Sequence, residues 1–207
     1  MAIDMTKRII LAALTACLAA SPALAQTVAP VAVAPKDDLV RVRIETSAGP
    51  ILVALDRGRA PLSVANFLAY VDGKKFDGEG FYRAMPFGDG GLIQGGITSD
   101  ARKLRKPVAH EPTSTTGLRN IAGSLVMARL EPGSARSDFF ILTADIAAFD
   151  ASAADPGFAV FGRVIEGMDV VKAIFAAPRS VTKGEGVMTG QMLDPPIRIV
   201  KATRLPK

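Results

Sequence analysis

This 207-residue sequence predicts a mainly β fold, closed or nearly closed into an antiparallel barrel with two helices capping its ends. Short apolar runs rich in β-branched and aromatic residues recur between Gly/Pro loops, only two segments carry a helical period, and no internal repeat is present. The first strand starts at Leu39, where Val40, Val42 and Ile44 alternate with Arg41, Arg43 and Glu45 at the period of a half-buried strand. Ser47-Ala48-Gly49-Pro50 turns the chain, and Ile51, Val53 and Leu55 alternate again, which makes a hairpin. Pro61 suits a first helical position; Val64, Phe67, Leu68 and Val71 then fall at i, i+3, i+4 and i+7 before Gly73 stops the segment. β-rich runs follow at 124–128, 139–142, 158–165 and 197–200, and a second helix at 168–175 gathers Met168, Val171 and Phe175 on one face.

Ahead of this domain the sequence reads as a leader. Lys7 and Arg8 precede an apolar run over 9–20, and Ala23-Leu24-Ala25 stands before Gln26, which are the three regions of a secretory signal peptide over 1–25. Met5 is an alternative start, because Asp4 is out of place in a basic leader. The run is broken by Ser21-Pro22 and falls short of the ~20 apolar residues needed to span a bilayer, so no membrane span is expected and the domain should be periplasmic. Leu14-Thr15-Ala16-Cys17 offers the alternative of a bacterial lipoprotein box, in which a lipidated Cys17 anchors the chain to a membrane. Residues 26–38, with Pro30 and Pro35 among small residues, read as a flexible linker to the folded domain at 39–207.

Composition removes several classes of function. Cys17 is the only cysteine, so a chain cut after Ala25 has no disulfide, thiol nucleophile or cysteine zinc site. Roughly 170 residues, 39–207, remain for the folded domain, enough for one sizeable core and too few for two. The net charge of +5 comes from scattered basic residues with few aromatics between them, which gives nucleic-acid binding no support. His110 is the only histidine; no HExxH surrounds it and no Gly-x-Ser-x-Gly occurs, so it reads as a loop residue that packs or caps. Gly88-Asp89-Gly90-Gly91 and Gly184-Glu185-Gly186 lack the third glycine of a dinucleotide fingerprint, and neither metal nor cofactor is expected.

The informative segments are Phe81-Tyr82-Arg83, Leu92-Ile93-Gln94-Gly95-Gly96, the run from Gly123 to Arg129 ending Met127-Ala128-Arg129, and Asp138-Phe139-Phe140-Ile141. They gather one arginine, one glutamine and an apolar floor, with no nucleophile, metal box or phosphate loop beside them. In sequence and order they resemble the cyclophilins, the peptidyl-prolyl cis/trans isomerases, from about residue 39 to 205. The resemblance implies an eight-stranded closed antiparallel barrel and a catalytic pair, Arg83 and Gln94. It also implies a substrate groove built from Phe81, Leu92, Met127, Ala128, Asp138, Phe140, Phe149 and Phe158.

The implied chemistry suits those residues. Rotation about a peptide bond meets a barrier of ~18–20 kcal/mol, breaks no bond and needs no nucleophile. An arginine, always charged and with a fixed fork of donors, can hydrogen-bond the prolyl nitrogen as it loses conjugation, while an apolar pocket holds the ring. Each ~1.4 kcal/mol of preferential transition-state binding is worth a factor of ten.

The sequence also departs from the family pattern. About three extra residues lie between Arg83 and Gln94, and Gly91-Leu92 replaces the usual Phe-Met, so Phe87 or Met85 would have to complete the pocket wall. Asp138 stands where the family carries a substrate-contacting glutamine and Arg129 where it often has asparagine; the two could pair across the groove. The chain has no tryptophan and Ala148 falls at the tryptophan position, which implies weak cyclosporin binding. The expected function is isomerisation of X-Pro bonds in unfolded or newly exported polypeptides by a monomer; the alternative is a non-catalytic peptide-binding chaperone or scaffold of the same fold.

Overall fold

The computed structural model describes residues 38–206. The leader expected over 1–25, with Cys17, and the linker up to residue 37 lie outside the described residues. Within them, eight antiparallel strands form a closed barrel: β1 (Leu39–Thr46), β2 (Gly49–Asp56), β3 (Gly80–Phe87), β4 (Gly90–Gly96), β5 (Ser124–Met127), β6 (Phe139–Leu142), β7 (Val160–Glu166) and β8 (Met192–Arg204). Their order around the barrel is β1-β2-β7-β5-β6-β4-β3-β8, and closure removes every sheet edge. The two expected helices are α1 (Pro61–Asp72) and α3 (Met168–Phe175); a four-residue helix α2 (Thr113–Thr116) is additional, and too short to leave a period in the sequence.

The alternating side chains of β1 and β2 fill the barrel. Val40, Val42, Ile44, Ile51, Val53 and Leu55 are buried while Arg41 and Arg43 are exposed. Phe67 of α1 covers one end, its ring 5.2 Å from Phe76, 5.2 Å from Phe139 and 5.3 Å from Phe161. Ala60 gives α1 no side-chain cap; instead the carboxylate of Glu111 accepts from the N–H groups of Leu62 and Ser63 at 3.0 and 2.8 Å and from the Ser63 hydroxyl at 2.6 Å. The neighbouring His110 lies with Nε2 3.1 Å from the Pro156 carbonyl.

β5 and β6 are buried on both faces, which is why each reads as an unbroken apolar run. Leu125, Met127, Phe139 and Ile141 point into the barrel. Val126, Phe140 and Leu142 point out, and with Leu92, Ile146 and Val160 they make a second apolar cluster on the outer wall. That cluster is the floor of the candidate site.

Candidate active site

Strand register gathers the site. Arg83 pairs with Gln94 across β3 and β4, Gln94 with Phe140 across β4 and β6, and Phe140 with Val126 across β6 and β5. These four outward side chains form one row, because side chains on paired positions share a face. One residue along lies the inward row of Phe81, Gly95, Phe139 and Met127.

Two sequence expectations fail on this parity. Phe81 is wholly buried with its ring 5.6 Å from Phe139, and Met127 is 2% exposed in the same interior cluster; both belong to the barrel core and not to the groove. The register of β3 shifts between Phe81 and Arg83 against both β4 and β8, so Tyr82 is an extra residue at a bulge. The bulge lets Phe81 point in and Arg83 point out although they are two residues apart. For Met127 plain alternation decides, with Val126 and Ala128 taking the outer face.

The remaining groove residues come together. Phe149 and Phe158, at 5.0 Å from each other, stand over Phe140 at 5.9 and 5.5 Å, with Leu92 and Ala128 against the same cluster. The longer β3–β4 hairpin supplies a fourth ring, since Phe87 lies 5.4 Å from Phe149, and Met85 packs on the cluster beside it. Both residues that could complete the wall therefore do.

Arg83 is half-buried, and burial lowers its pKa while the neighbouring Tyr82 opposes that shift. Its Nη1 donates to Gln94 Oε1 at 2.9 Å, and its Nη2 to Met85 Sδ at 3.1 Å. Its Nε and Nη2 both donate to Gln191 Oε1, at 2.9 and 2.7 Å. Four of the five guanidinium N–H donors are thereby committed, leaving one on Nη1 among the described residues. Gln191, which the sequence reading missed, is itself held by its Nε2 donating to the Val187 carbonyl at 2.7 Å and by its backbone carbonyl accepting from the Ala84 N–H at 2.9 Å. It lies 108 residues from Arg83 in a glycine-rich loop, and no local spacing announces it.

Gln94 donates from Nε2 to the Tyr82 hydroxyl at 2.7 Å, and Tyr82 donates to Asp138 Oδ2 at 2.8 Å. The paired glycines after Gln94 answer real crowding: a Cβ on Gly96 would lie 2.0 Å from Asp138 Oδ1, and one on Gly95 3.0 Å from the Gly80 carbonyl. Arg129 does not pair with Asp138 as the sequence suggested. Its guanidinium turns the other way, 4.9 Å above the Phe158 ring, donating to the Gly157 carbonyl at 2.5 Å and to Asp155 at 3.2 Å. The reason is reach: the carbonyl and ring offer it a hydrogen bond and a cation–π face beside its own backbone.

An outward arginine, an amide that orients it and an aromatic cluster beside them fit the turning of a proline-bearing peptide. A family profile described as "Cyclophilin type peptidyl-prolyl cis-trans isomerase/CLD" matches residues 41–204. The chain belongs to the cyclophilin family. It is 41% identical over 176 residues to peptidyl-prolyl cis-trans isomerase A of Dickeya dadantii, covering 82% of this chain and 85% of that one. It is 40% identical over 143 residues to a peptidyl-prolyl cis-trans isomerase of Acinetobacter baylyi, covering 67% and 73%. A cyclophilin-type isomerase of Cryptosporidium parvum shares the fold at a TM-score of 0.65 and 21% identity, covering 82% of this chain and 99% of that one. The chain is thus a cyclophilin-type peptidyl-prolyl cis-trans isomerase, and its barrel is the cyclophilin barrel. Among the described residues no group of three or more His, Cys, Asp and Glu side chains could hold a metal ion, and no helix is long and apolar enough to cross a membrane.

Proposed function

We propose that this cyclophilin rotates X-Pro bonds in unfolded or newly exported polypeptides, with Arg83 as the catalytic donor and Gln94 as the amide that orients it. The proline ring sits against the outer face of the Phe140, Phe149 and Phe158 cluster, with Phe87, Met85, Leu92 and Ala128 packed around it. The single observation that carries this reading is the state of Arg83: a guanidinium fixed by two glutamines beside an aromatic cluster, with one N–H uncommitted among the described residues. A donor already oriented before substrate arrives loses little on reaching the transition state. Support for a proline-bearing substrate comes from the Cryptosporidium parvum relative, whose structure was determined in the presence of the dipeptide Ala-Pro.

The test is NMR exchange or a protease-coupled assay on a short X-Pro peptide. Arg83→Ala is expected to lower kcat/KM at least about tenfold with the melting temperature unchanged. An unchanged rate would remove Arg83 from the mechanism, and peptide binding without exchange in the wild type would favour the non-catalytic scaffold. Export rests on the leader pattern at 1–25. Protein recovered from cells should begin at Gln26 and be free in the periplasm; a diacylated Cys17 peptide in mass spectrometry would replace that reading with a lipoprotein.

A further inference from the structure

We propose that Asp138 is a positioning residue, acting through the Tyr82 hydroxyl to hold the Gln94 amide with its carbonyl toward Arg83. The inference rests on the catalytic reading of Arg83 and Gln94 given above. It is carried by a chain of hydrogen bonds whose two ends allow only one direction. Arg83, at one end, is donor-only; a carboxylate, at the other, is acceptor-only. Between them run Arg83 Nη1 to Gln94 Oε1 at 2.9 Å, Gln94 Nε2 to Tyr82 at 2.7 Å and Tyr82 to Asp138 Oδ2 at 2.8 Å. A tyrosine hydroxyl has one proton. Once Asp138 takes it, the Tyr82 oxygen can only accept, so Gln94 must turn its NH2 to Tyr82 and its carbonyl to the guanidinium.

The surroundings of Asp138 suit this role better than a contact with substrate. Its second oxygen, Oδ1, accepts from the Ser137 hydroxyl at 3.0 Å, so both oxygens are occupied. Gly96 leaves the space it occupies. The Tyr82 hydroxyl keeps its proton, because burial and then the Asp138 charge push its pKa far above the ordinary range. A neutral glutamine at position 138 could serve as donor or acceptor, so the direction of the chain would be set from the Arg83 end alone and not held from both ends. The bulge that frees Tyr82 from the strand ladder is what places its hydroxyl between Gln94 and Asp138.

A double-mutant cycle on the full chain tests the relay. Asp138→Asn, nearly isosteric, should lower kcat about threefold to tenfold with KM nearly unchanged and the melting temperature no lower than that of the wild type, because the donor is displaced while the groove is not. In a Tyr82→Phe background the same substitution should change kcat no further. Equal losses with and without the hydroxyl would show that Asp138 acts directly on the peptide and would overturn the proposal, as would an unchanged kcat in the single variant. A second readout needs no activity. The sequence has three glutamines, Gln26, Gln94 and Gln191, so selective 15N-glutamine labelling gives three side-chain amides. Asp138→Asn should move the Gln94 amide signals when Tyr82 is present and leave them in place in the Tyr82→Phe background. Unmoved signals would overturn the relay even if the wild type proved active. If the wild type proved inactive, the isomerase reading would fall, and the amide shifts would still decide the positioning.

Discussion

Glu79 and Asp138 are two carboxylates at the same end of the β3–β4 hairpin, and their environments pull in opposite directions. Glu79 is the more buried, its side chain 2% exposed, and burial alone would push its pKa up. Yet Lys103 at 2.8 Å, the Ser99 hydroxyl and the N–H groups of Thr98 and Ser99 at 3.1 and 3.2 Å hold it below the usual carboxylate range. Asp138 is only half-buried, but it receives two hydroxyls and, among the described residues, no cation; burial raises its pKa and those two hydrogen bonds fail to offset it. Partners, more than depth, decide whether a buried charge helps the fold. Glu79 ties the start of β3 to the loop after β4 and stabilises. Asp138 costs stability when charged, and it sits three hydrogen bonds from Arg83, where a costly charge is kept for the site.

The largest effect expected from this contrast is on Glu79. Glu79→Ala leaves two backbone N–H groups, a hydroxyl and Lys103 without their acceptor and should destabilise the protein by about 3 kcal/mol in urea unfolding. The surviving folded protein should isomerise peptides within about twofold of wild type. A loss below about 1 kcal/mol would mean that the clasp is replaced by solvent and the two carboxylates are alike.

Gln191 gives the next effect, now on rate. Gln191→Ala removes the acceptor shared by Nε and Nη2 of Arg83 and should lower kcat about tenfold, with less than about 1 kcal/mol lost in stability because the side chain is half-exposed. A fall in stability that matched the fall in rate would place Gln191 with Glu79 as a fold-holding residue.

The pH dependence of stability should separate the two carboxylates by sign. The folded pKa of Asp138 is raised above the ordinary 3.8, so its contribution is fully present below that value and is lost as pH rises through the folded pKa. Tyr82 and, at longer range, Tyr70 are the titratable groups that interact with it, and neither ionises in this range. Asp138→Asn should therefore gain on the wild type as the pH is taken from 3 towards 7. The folded pKa of Glu79 is lowered below the ordinary 4.5, so its contribution is present above that value and is lost as pH falls through the folded pKa. Glu79→Gln should lose ground over the same rise in pH. Parallel curves for the two variants would dissolve the comparison.

These contrasts also mark what a reader of the sequence can reach. β1, α1 and α3 were legible because each buries one face and so carries its period in its apolar residues, and β2 through the alternation of Ile51, Val53 and Leu55, although Ala54 and Asp56 on its other face are buried as well. β3 and β4 left no such period: a bulge at Tyr82 breaks the alternation of one, and four glycines in seven residues thin out the other. β8 extends well beyond the apolar run at 197–200, through Pro195 and Pro196. Arg83 and Gln94 were legible through the order of short motifs, and the strand register does pair them. Phe81 and Met127 were misplaced because a motif records neighbours along the chain, and an unseen bulge or a one-residue step changes the face. Gln191 and the Tyr82–Asp138 link are contacts between distant segments, where only the closed barrel brings donors to acceptors.

The smallest expected effect is on substrate charge. A carboxylate facing bound peptide should favour cationic residues near the proline, since unlike charges attract, and should do so most at low salt. In the structure both oxygens of Asp138 accept from hydroxyls, and Arg129 is held by the Gly157 carbonyl, Asp155 and the Phe158 ring, so both side chains are already engaged within the protein. Paired Lys-X-Pro and Glu-X-Pro peptides at low ionic strength should then give kcat/KM values within about twofold of each other, the size of a weak, solvent-screened interaction. A preference for lysine of tenfold or more that shrinks with added salt and vanishes in Asp138→Gln would turn Asp138 outward. It would then be a specificity residue, and the contrast with Glu79 would rest on what it shows the substrate and not on how it holds Gln94.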